Sequence, residues 1–170
     1  MIIRGNVWKY GDNVNTDVIY PGRHTYILID ESEMGQFALE DLDPEFNQQA
    51  KPGDIIVAGR NWGCGSAREQ AVKCLKSRGV GAIIAISFSR IYYRNSLNEG
   101  LLTIVCPDLV RDVQQNDQLV IDMENSMILL NNKQYSFTPY PSYVRNLIES
   151  GGLIPLVKKK MADRNTADGK

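Results

Sequence analysis

Hydrophobic residues form three short, uninterrupted runs in the middle of the chain, at residues 55–58, 82–86 and 101–105. Such runs, bounded by turn residues, are typical of strands that are buried on both faces. Between the first two runs, residues 67–78 combine good helix formers with a stop at Gly79. Between the last two, a helix is predicted from Ser87 or Ser89 to about Glu99. This alternation predicts an α/β fold with a parallel βαβαβ core and right-handed crossovers.

The segment before this core follows other patterns. Residues 6–10 alternate polar and apolar side chains, which predicts a short strand with one buried face. Residues 18–20 predict a second extended piece, ended by a Pro-Gly pair. Residues 31–42 carry apolar side chains at helical spacing, and Ser32 is the candidate N-cap of that predicted helix.

After residue 107 the pattern changes to short strands joined by tight turns. Residues 118–123 and 127–130 are predicted strands, and the Asn-Asn turn that follows them indicates an antiparallel β meander. A short helix is predicted at residues 143–148. We therefore expect one domain over residues 1–157, followed by a polar tail at residues 158–170 that frays.

Composition and charge limit the kinds of partner that the chain is expected to bind. The chain has 170 residues, of which 43% are hydrophobic, so it can bury one sizeable core. Its 19 basic and 20 acidic side chains leave a net charge of -1, which gives no electrostatic reason to expect nucleic acid or a membrane surface. No apolar run reaches the roughly 18 to 20 residues of a membrane span, and the first residues lack a signal-peptide core. We expect a cytoplasmic protein.

The cysteines and the histidine argue against a metal site on this chain. Cys64, Cys74 and Cys106 are an odd number without CxxC spacing, so neither disulfides nor a self-contained zinc or iron–sulfur site is predicted. His24 is the single histidine, which argues against a His-based triad and an HExxH site.

A glycine-rich turn at residues 59–69 is the candidate for chemistry, because it lies between a predicted strand and a predicted helix. Three familiar motifs fail there. A Walker A loop needs Gly-Lys-Ser/Thr, a Rossmann fingerprint needs a small residue at position 68, and a nucleophile elbow needs glycines at positions 64 and 68. The turn is therefore a site of another kind.

Two interpretations of this turn are open from spacing alone. If Ser66 is the N-cap, Arg68 lies in the first helical turn, where the dipole disfavours a cation, and this suggests a bound anion. Alternatively, Ser66 and Glu69 form a capping box that adds about 1 kcal/mol of stability and implies no chemistry. The glycines at 63 and 65, which permit close approach of a ligand to the backbone, favour the first interpretation modestly.

Three ordered motifs resemble the swivel domain of the aconitase family. Residues 63–69, Gly-Cys-Gly-Ser-Ala-Arg-Glu, are similar to its Gly-x-Gly-Ser-Ser-Arg-Glu motif. Residues 87–95, Ser-Phe-Ser-Arg-Ile-Tyr-Tyr-Arg-Asn, resemble its Ser-Phe-Ala-Arg-Ile-Phe-Tyr-Arg-Asn segment, and residues 11–17 resemble its Asp-x-x-x-Thr-Asp segment. The chain length, without a cluster domain, is similar to that of the family's stand-alone small subunits. The resemblance implies a swivelling β/β/α domain.

The resemblance also implies a partner and roles for residues. In this family a large subunit carries a [4Fe-4S] cluster, which implies a heterodimer or heterotetramer and no cofactor bound by this chain. By motif position, Ser66 is the implied catalytic base and Arg68 the implied ligand of a substrate carboxylate. Ala67 stands where the family usually has a second serine, so a hydroxyl contact is lost there and a backbone N–H remains.

The implied reaction is that of a hydro-lyase, which moves a hydroxyl between neighbouring carbons of a small hydroxy dicarboxylate. A competing class is a non-catalytic module that binds a small anion at the same turn.

The loop after the Pro-Gly pair concerns substrate choice. In the family it closes over the variable group of the substrate, and an arginine within it resembles a clamp for the extra carboxylate of homocitrate-type substrates. The residues at these positions here are Thr25, Tyr26, Ile27 and Leu28. Their apolar surface suits an isopropyl group as the variable group of the substrate. Among the reactions that the resemblance implies, this favours the conversion of 2-isopropylmalate to 3-isopropylmalate, a step of leucine biosynthesis, and a methyl-substituted malate is the second candidate substrate. Thr25 and Tyr26 are candidate substrate contacts, and Arg23 or His24 can supply a positive charge that keeps the tricarboxylate alternative open.

Several other residues have interpretations that involve no catalytic role. Asp12 and Asp17 are expected to form turns by bonding their own backbone. Cys64 is expected to be a small filler beside the turn. Arg90 and Arg94, four residues apart, either offer a basic face to phosphate or to a partner subunit, or take part in ordinary packing or salt bridging of a helix face.

Overall fold

A mixed sheet forms the centre of the computed structural model, which describes residues 1–168. The strands are β1 Ile2–Lys9, β2 Ile55–Ala58, β3 Ala82–Ala85, β4 Leu102–Val105, β5 Gln118–Asp122, β6 Met127–Leu130 and β7 Lys133–Ser136. The helices are α1 Thr16–Ile19, α2 Pro44–Gln49, α3 Gln70–Ser77, α4 Arg90–Asn98, α5 Pro107–Asp112, α6 Ser142–Glu149 and α7 Leu153–Asp168. Two 3₁₀ helices span Gly22–His24 and Glu31–Phe37. The strand order β4-β3-β2-β1-β5-β6-β7 confirms the predicted α/β fold.

The first half of the sheet is parallel. Strand β1 pairs with β2, β2 with β3 and β3 with β4, all in parallel register. Strands β2 and β3 are buried along their whole length, as their continuous apolar sequences predict. The predicted βαβαβ core is therefore confirmed, with α3 and α4 as the connecting helices.

The second half is the antiparallel meander that the turn residues predict. Strands β5, β6 and β7 pair in succession, and β5 pairs with β1. Strand β1 is longer than the predicted residues 6–10, because Ile2 to Asn6 pair with β5 while Val7 to Lys9 pair with β2. This strand joins the parallel and antiparallel halves into one sheet.

The core lies on both faces of the sheet, in two clusters of buried residues. Along β1, Val7 belongs to the cluster that faces α5, α6 and the meander, whereas Trp8 belongs to the cluster beneath α1, α2 and α3. Strand β2 divides its side chains between the clusters in the same way. Successive side chains of a strand point to opposite faces of the sheet, and both faces of this sheet are covered.

Two predictions before residue 45 are wrong. Residues 18 and 19 are helical rather than extended, because α1 occupies Thr16–Ile19 and Asn15 caps it by accepting a hydrogen bond from the Val18 N–H at 2.9 Å; Tyr20, the C-cap, is extended. The predicted helix at 31–42 is the 3₁₀ helix Glu31–Phe37, and Ser32 lies inside it, after the N-cap position Asp30. The Ser77 hydroxyl of α3 donates a hydrogen bond to the Ser32 carbonyl at 2.7 Å, so the backbone of the 3₁₀ helix is bonded to α3 at this point.

The glycine-rich turn also departs from its predicted geometry. Helix α3 begins at Gln70 rather than at residue 67, with Glu69 at the N-cap position and no side-chain cap. Ser66 is therefore not an N-cap, the predicted capping box does not form, and Arg68 precedes the helix. Helix α4 does begin where predicted, because Ser89 accepts a hydrogen bond from the Tyr92 N–H at 3.3 Å.

The C-terminal part contains more helix than predicted. Helix α5 was not predicted, since its six residues are too few to show a helical period. Helix α7 continues through the predicted polar tail, so the expected boundary at residues 157/158 falls inside this helix. The last two residues of that tail, 169–170, lie outside the described residues. Within residues 1–168, none of the helices combines the length and apolarity that crossing a membrane requires.

Candidate functional site

The three motif segments follow three neighbouring parallel strands. Residues 11–17 follow β1, residues 59–69 follow β2, and residues 87–95 follow β3. The carboxyl ends of adjacent parallel strands meet at one edge of a sheet, and open α/β sheets bind ligands at that edge. The sheet topology therefore brings together segments that are far apart in sequence.

Backbone hydrogen bonds join these segments directly. On one side of the glycine-rich turn, Thr16 N–H donates to the Cys64 carbonyl and Gly63 N–H donates to the Val14 carbonyl, both at 2.8 Å. On the other side, Ser89 N–H donates to the Trp62 carbonyl at 2.9 Å. The turn is held between the other two segments as the middle layer.

Two glycines permit this close approach. Gly63 has φ +72°, and a Cβ atom there would lie 2.1 Å from Cγ of buried Tyr92. Gly65 has φ +98°, and its Cβ would lie 3.2 Å from the Thr16 hydroxyl. Both the backbone conformation and the lack of space favour glycine at these positions.

Ser66 is exposed at the tip of the turn and touches Thr16, which is 1% exposed. The Thr16 hydroxyl donates to the Ser66 carbonyl at 3.0 Å, and its oxygen lies 3.3 Å from the Ser66 hydroxyl oxygen. A threonine hydroxyl has one proton, so when Thr16 donates to the carbonyl, the Ser66 hydroxyl is the donor in the second contact. Thr16 thus orients the Ser66 side chain, a role that the sequence analysis missed although Thr16 lies in a recognised motif.

The turn also exposes unpaired backbone donors. Within residues 1–168, the N–H groups of Gly65, Ser66 and Ala67 make no hydrogen bond to the chain. Successive free N–H groups form an anion-binding concavity even without a helix N-terminus. The expected anion preference of the turn therefore has a structural basis, although its predicted cause, the first turn of a helix, is wrong.

Arg68 lies beside this concavity and is held by two partners. Its Nη2 atom is 2.6 Å from Asp17 Oδ1, and its Nη1 atom is 3.4 Å from the Thr25 hydroxyl. The Arg68 side chain is 27% exposed, so part of the guanidinium remains open to solvent. Asp17 and Thr25 fix a cation next to Ser66.

The predicted local roles of the two aspartates are wrong. Asp17 pairs with Arg68 rather than with its own backbone, and Asp12 accepts a hydrogen bond from the Arg60 N–H at 2.6 Å. Both carboxylates therefore link the first motif segment to the glycine-rich turn. The sequence offers no signal for these contacts, since their partners lie far along the chain.

The loop that follows α1 is anchored at its base. Both terminal nitrogens of Arg23 lie 2.8 Å from oxygens of Asp41, and Nη2 also lies 2.8 Å from Glu40. His24 Nε2 lies 2.7 Å from Glu40, and the ring stacks on Phe37 at 3.8 Å between centroids. Arg23 and His24, the two candidate sources of positive charge for the substrate, are thus bound to acidic residues.

These contacts stabilise the ionised form of the Asp41 and Glu40 carboxyl groups over the protonated form. Hydrogen bonds from Arg23 hold the pKa of Asp41 below its usual value. Burial raises the pKa of Glu40, but hydrogen bonds from Arg23 and His24 outweigh it, and the net shift of the Glu40 pKa is downward.

The tip of the loop projects into solvent. Tyr26 and Leu28 are 93% and 103% exposed, and Ile27 is 52% exposed. Thr25 contacts Arg68, so the structure brings Thr25 to the site, whereas the side chain of Tyr26 is almost fully exposed to solvent. The loop therefore presents open apolar surface next to Arg68.

The thiols of this chain do not fit an iron–sulfur cluster. Cys74 and Cys106 are buried, and burial raises the pKa of both thiols. Cys64 is partly exposed, and its Sγ atom contacts the Asn13 carbonyl at 3.5 Å. In the described part of the chain, no group of three or more potential metal ligands is present. A four-thiolate cluster would require cysteines that converge, and these three do not.

Comparison with known proteins identifies the family. Residues 12–109 match the model of the aconitase C-terminal domain, and this range contains nearly all of the three motif segments. The chain is 42% identical over 164 residues to the 3-isopropylmalate dehydratase small subunit of Thermodesulfovibrio yellowstonii, covering 95% of this chain and 97% of that protein. It is 43% identical, with the same coverage, to the isopropylmalate/citramalate isomerase small subunit of Methanocaldococcus jannaschii.

A solved structure extends this likeness to the fold. The crystal structure of a 3-isopropylmalate dehydratase from Methanocaldococcus jannaschii matches with a TM-score of 0.90 and 37% identity, covering 98% of this chain and 99% of that one. The chain therefore belongs to the aconitase C-terminal domain family, among its 3-isopropylmalate dehydratase small subunits.

Proposed function

We propose that this chain contributes the proton-transferring half of the active site of a hydro-lyase that converts 2-isopropylmalate to 3-isopropylmalate. The observation that carries this proposal is that one turn presents the exposed Ser66, the partly exposed Arg68 side chain and three free N–H groups. The similarity to dehydratase small subunits over 95% of the chain supports the same reaction class.

In this proposal Ser66 is the base. Dehydration removes a proton from a carbon next to a carboxylate while the hydroxyl leaves the neighbouring carbon, and rehydration reverses both steps. A serine hydroxyl is a weak base in water, so its alkoxide needs nearby positive charge and hydrogen-bond donors. Arg68 and the free N–H groups supply them, and Thr16 sets the orientation of the side chain.

Arg68 is proposed to bind a substrate carboxylate. Its planar guanidinium suits a bidentate contact, and the Asp17 pair leaves part of the group open. The Ala67 N–H and the side chains of Thr25 and Tyr26 are proposed as further substrate contacts. We assign Arg23 a different place, as the anchor that holds the loop, because Asp41 and Glu40 occupy its guanidinium.

The partner and the cellular role are part of the proposal. We propose that the chain assembles with an iron–sulfur large subunit, in a heterodimer or heterotetramer, and that the [4Fe-4S] cluster belongs to that subunit. When bound there, the cluster supplies the Lewis acid of the reaction. We also propose a cytoplasmic enzyme of leucine biosynthesis.

Reconstitution tests this function. The purified chain alone should be inactive, and isopropylmalate isomerisation should appear on addition of a cluster-loaded large subunit from the same genome. A second candidate is a module that only captures small anions at the free N–H groups. Binding of a dicarboxylate to the chain without any activity of the assembled complex would favour that module.

Substrate choice gives a sharper prediction. The exposed loop tip offers apolar surface, so the catalytic efficiency should be highest for isopropylmalate. Each carbon lost from the side chain should cost about 0.8 kcal/mol, which makes a methyl-substituted malate roughly tenfold poorer. A homocitrate-type substrate should be poorer still, because its extra carboxylate would be buried unpaired.

Steady-state kinetics on the reconstituted enzyme measure these ratios. Leu28→Arg should raise the relative efficiency for the tricarboxylate, because it places a cation at the loop tip. If the wild-type enzyme prefers the tricarboxylate, the apolar interpretation of this loop is wrong.

Arg68→Lys is expected to weaken substrate binding. A lysine keeps the charge but loses the fork, and a charge-assisted hydrogen bond contributes about 1.5–3 kcal/mol, so KM should rise roughly 10- to 100-fold. Arg111→Lys is the matched control, since Arg111 is also an arginine that pairs with an aspartate, Asp108, at the surface. Unchanged KM and kcat for Arg68→Lys would remove Arg68 from the site.

A further inference from the structure

Helix α4 carries an exposed basic face whose arginine side chains are unpaired among the described side chains. Arg90 and Arg94 lie four residues apart, one helical turn, and both are exposed. Ile91, between them, is 52% exposed. Arg60, in the turn that follows β2, is exposed as well. Among the side chains of residues 1–164, none of these three arginine side chains has an ion-pair or hydrogen-bond partner.

This lack of partners differs from the arrangement of arginines nearby. Arg23 is held by Asp41 and Glu40, and Arg68 is held by Asp17. The chain as a whole has a net charge of -1, so unpaired cations on one face are a local asymmetry. Of the interpretations left open for Arg90 and Arg94, salt bridging on the helix is thus not observed among the described side chains.

The basic face is continuous with the candidate site. The Asn61 N–H, next to Arg60, donates to the Ser87 hydroxyl at 2.9 Å, and the Ser89 hydroxyl donates to the Gly63 carbonyl at 2.7 Å. These bonds place the start of α4 directly beside the turn that carries Ser66. The three arginines thus border the exposed edge where a second subunit has to approach if the site is shared.

We infer that Arg60, Arg90 and Arg94, with Ile91 among them, form the surface on which an acidic patch of the large subunit docks. The inference rests on the proposed function, because it presumes that the site is completed by that subunit. Interfaces are enriched in arginine around apolar contacts, and complementary charge speeds the encounter of partners. Unpaired arginines beside an exposed isoleucine match an acidic protein surface with an apolar centre.

Association kinetics with the cluster-loaded large subunit test this inference in the absence of substrate. Arg90→Glu/Arg94→Glu should slow association at least about tenfold at low ionic strength, and the difference from wild type should shrink as salt screens the charges. Arg60→Glu should slow it less, and Arg90→Gln/Arg94→Gln should be intermediate between wild type and the charge reversal. All three arginines are at the surface, so thermal unfolding of these variants should remain close to that of wild type.

The matched control is Arg4→Glu/Lys51→Glu. It changes the net charge equally, and both residues are exposed at the amino ends of β1 and β2, opposite the site. Equal slowing by this control would show a general charge effect and overturn the inference, as would association unchanged by Arg90→Glu/Arg94→Glu. A raised KM at saturating large subunit with unchanged association would instead assign the arginines to substrate attraction. If the wild-type chain fails to associate at all, the proposed function fails as well.

Discussion

Replacing Ser66 by alanine is expected to lower the turnover of the reconstituted enzyme by about 10²- to 10⁴-fold, the usual contribution of a positioned acid or base. The change removes the hydroxyl that we assign as the proton acceptor, but leaves Arg68, Asp17 and the backbone of the turn in place. KM should change little, because Arg68 and the free backbone N–H groups of the turn bind the carboxylates in the proposed site. Initial rates at saturating substrate measure the effect.

The same substitution should hardly alter folding stability. Because Ser66 does not cap α3, no cap is lost, and the Thr16 hydroxyl keeps its hydrogen bond to the residue 66 carbonyl. Only the contact between the two hydroxyls disappears, which costs about 1 kcal/mol or less.

Ser89→Ala is the complementary control for Ser66→Ala. Ser89 caps α4 and donates to the Gly63 carbonyl, so its loss should lower the free energy of unfolding by about 1–2 kcal/mol. Its effect on turnover should be far smaller than that of Ser66→Ala. Full turnover by Ser66→Ala would assign the proton transfer to another group and leave the turn as an anion-binding element.

The elements that the sequence predicts well are those determined by local pattern. The apolar runs of β2 and β3 are buried along their whole length, and Ser89 caps α4 through a bond to a backbone N–H three residues away. The segments at residues 59–69 and 87–95 each follow a strand of the predicted parallel core, so the sequence predicts them at one edge of the sheet. The segment at residues 11–17 joins them because β1 pairs in parallel with β2, a pairing that the sequence pattern does not predict.

The geometry within the site could not be predicted, since contacts distant in sequence determine it. The capping box at residues 66–69 has a favourable local pattern, but Thr16, fifty residues away, bonds the Ser66 carbonyl instead. Arg68 N–H donates to the same carbonyl at 2.8 Å, which forms a tight turn ahead of the helix. Neither the pairing of Arg68 with Asp17 nor that of Arg23 with Asp41 has a signature in spacing or composition.

Gly63→Ala is expected to have the largest effect on stability. The new methyl group would overlap the ring of Tyr92, which is 2% exposed and packs against Trp62. Overpacking typically costs about 1–3 kcal/mol, and a left-handed backbone conformation adds about 1 kcal/mol for a residue with a Cβ atom. The loss of about 2–4 kcal/mol should lower the thermal midpoint of the isolated chain by roughly 4–16 °C.

Gly11→Ala is the matched control, because a Cβ at Gly11 meets no atom within 4 Å and the residue has no left-handed φ. Its thermal midpoint should stay close to that of wild type. The two variants also separate stability from catalysis. At a temperature where Gly63→Ala remains folded, its turnover should still fall, because the turn can clear the Tyr92 ring only by shifting, and the same turn positions Ser66. A folded Gly63→Ala enzyme with full turnover would show that the turn adapts without moving its serine, which would contradict the rigid placement on which the proposed proton transfer depends.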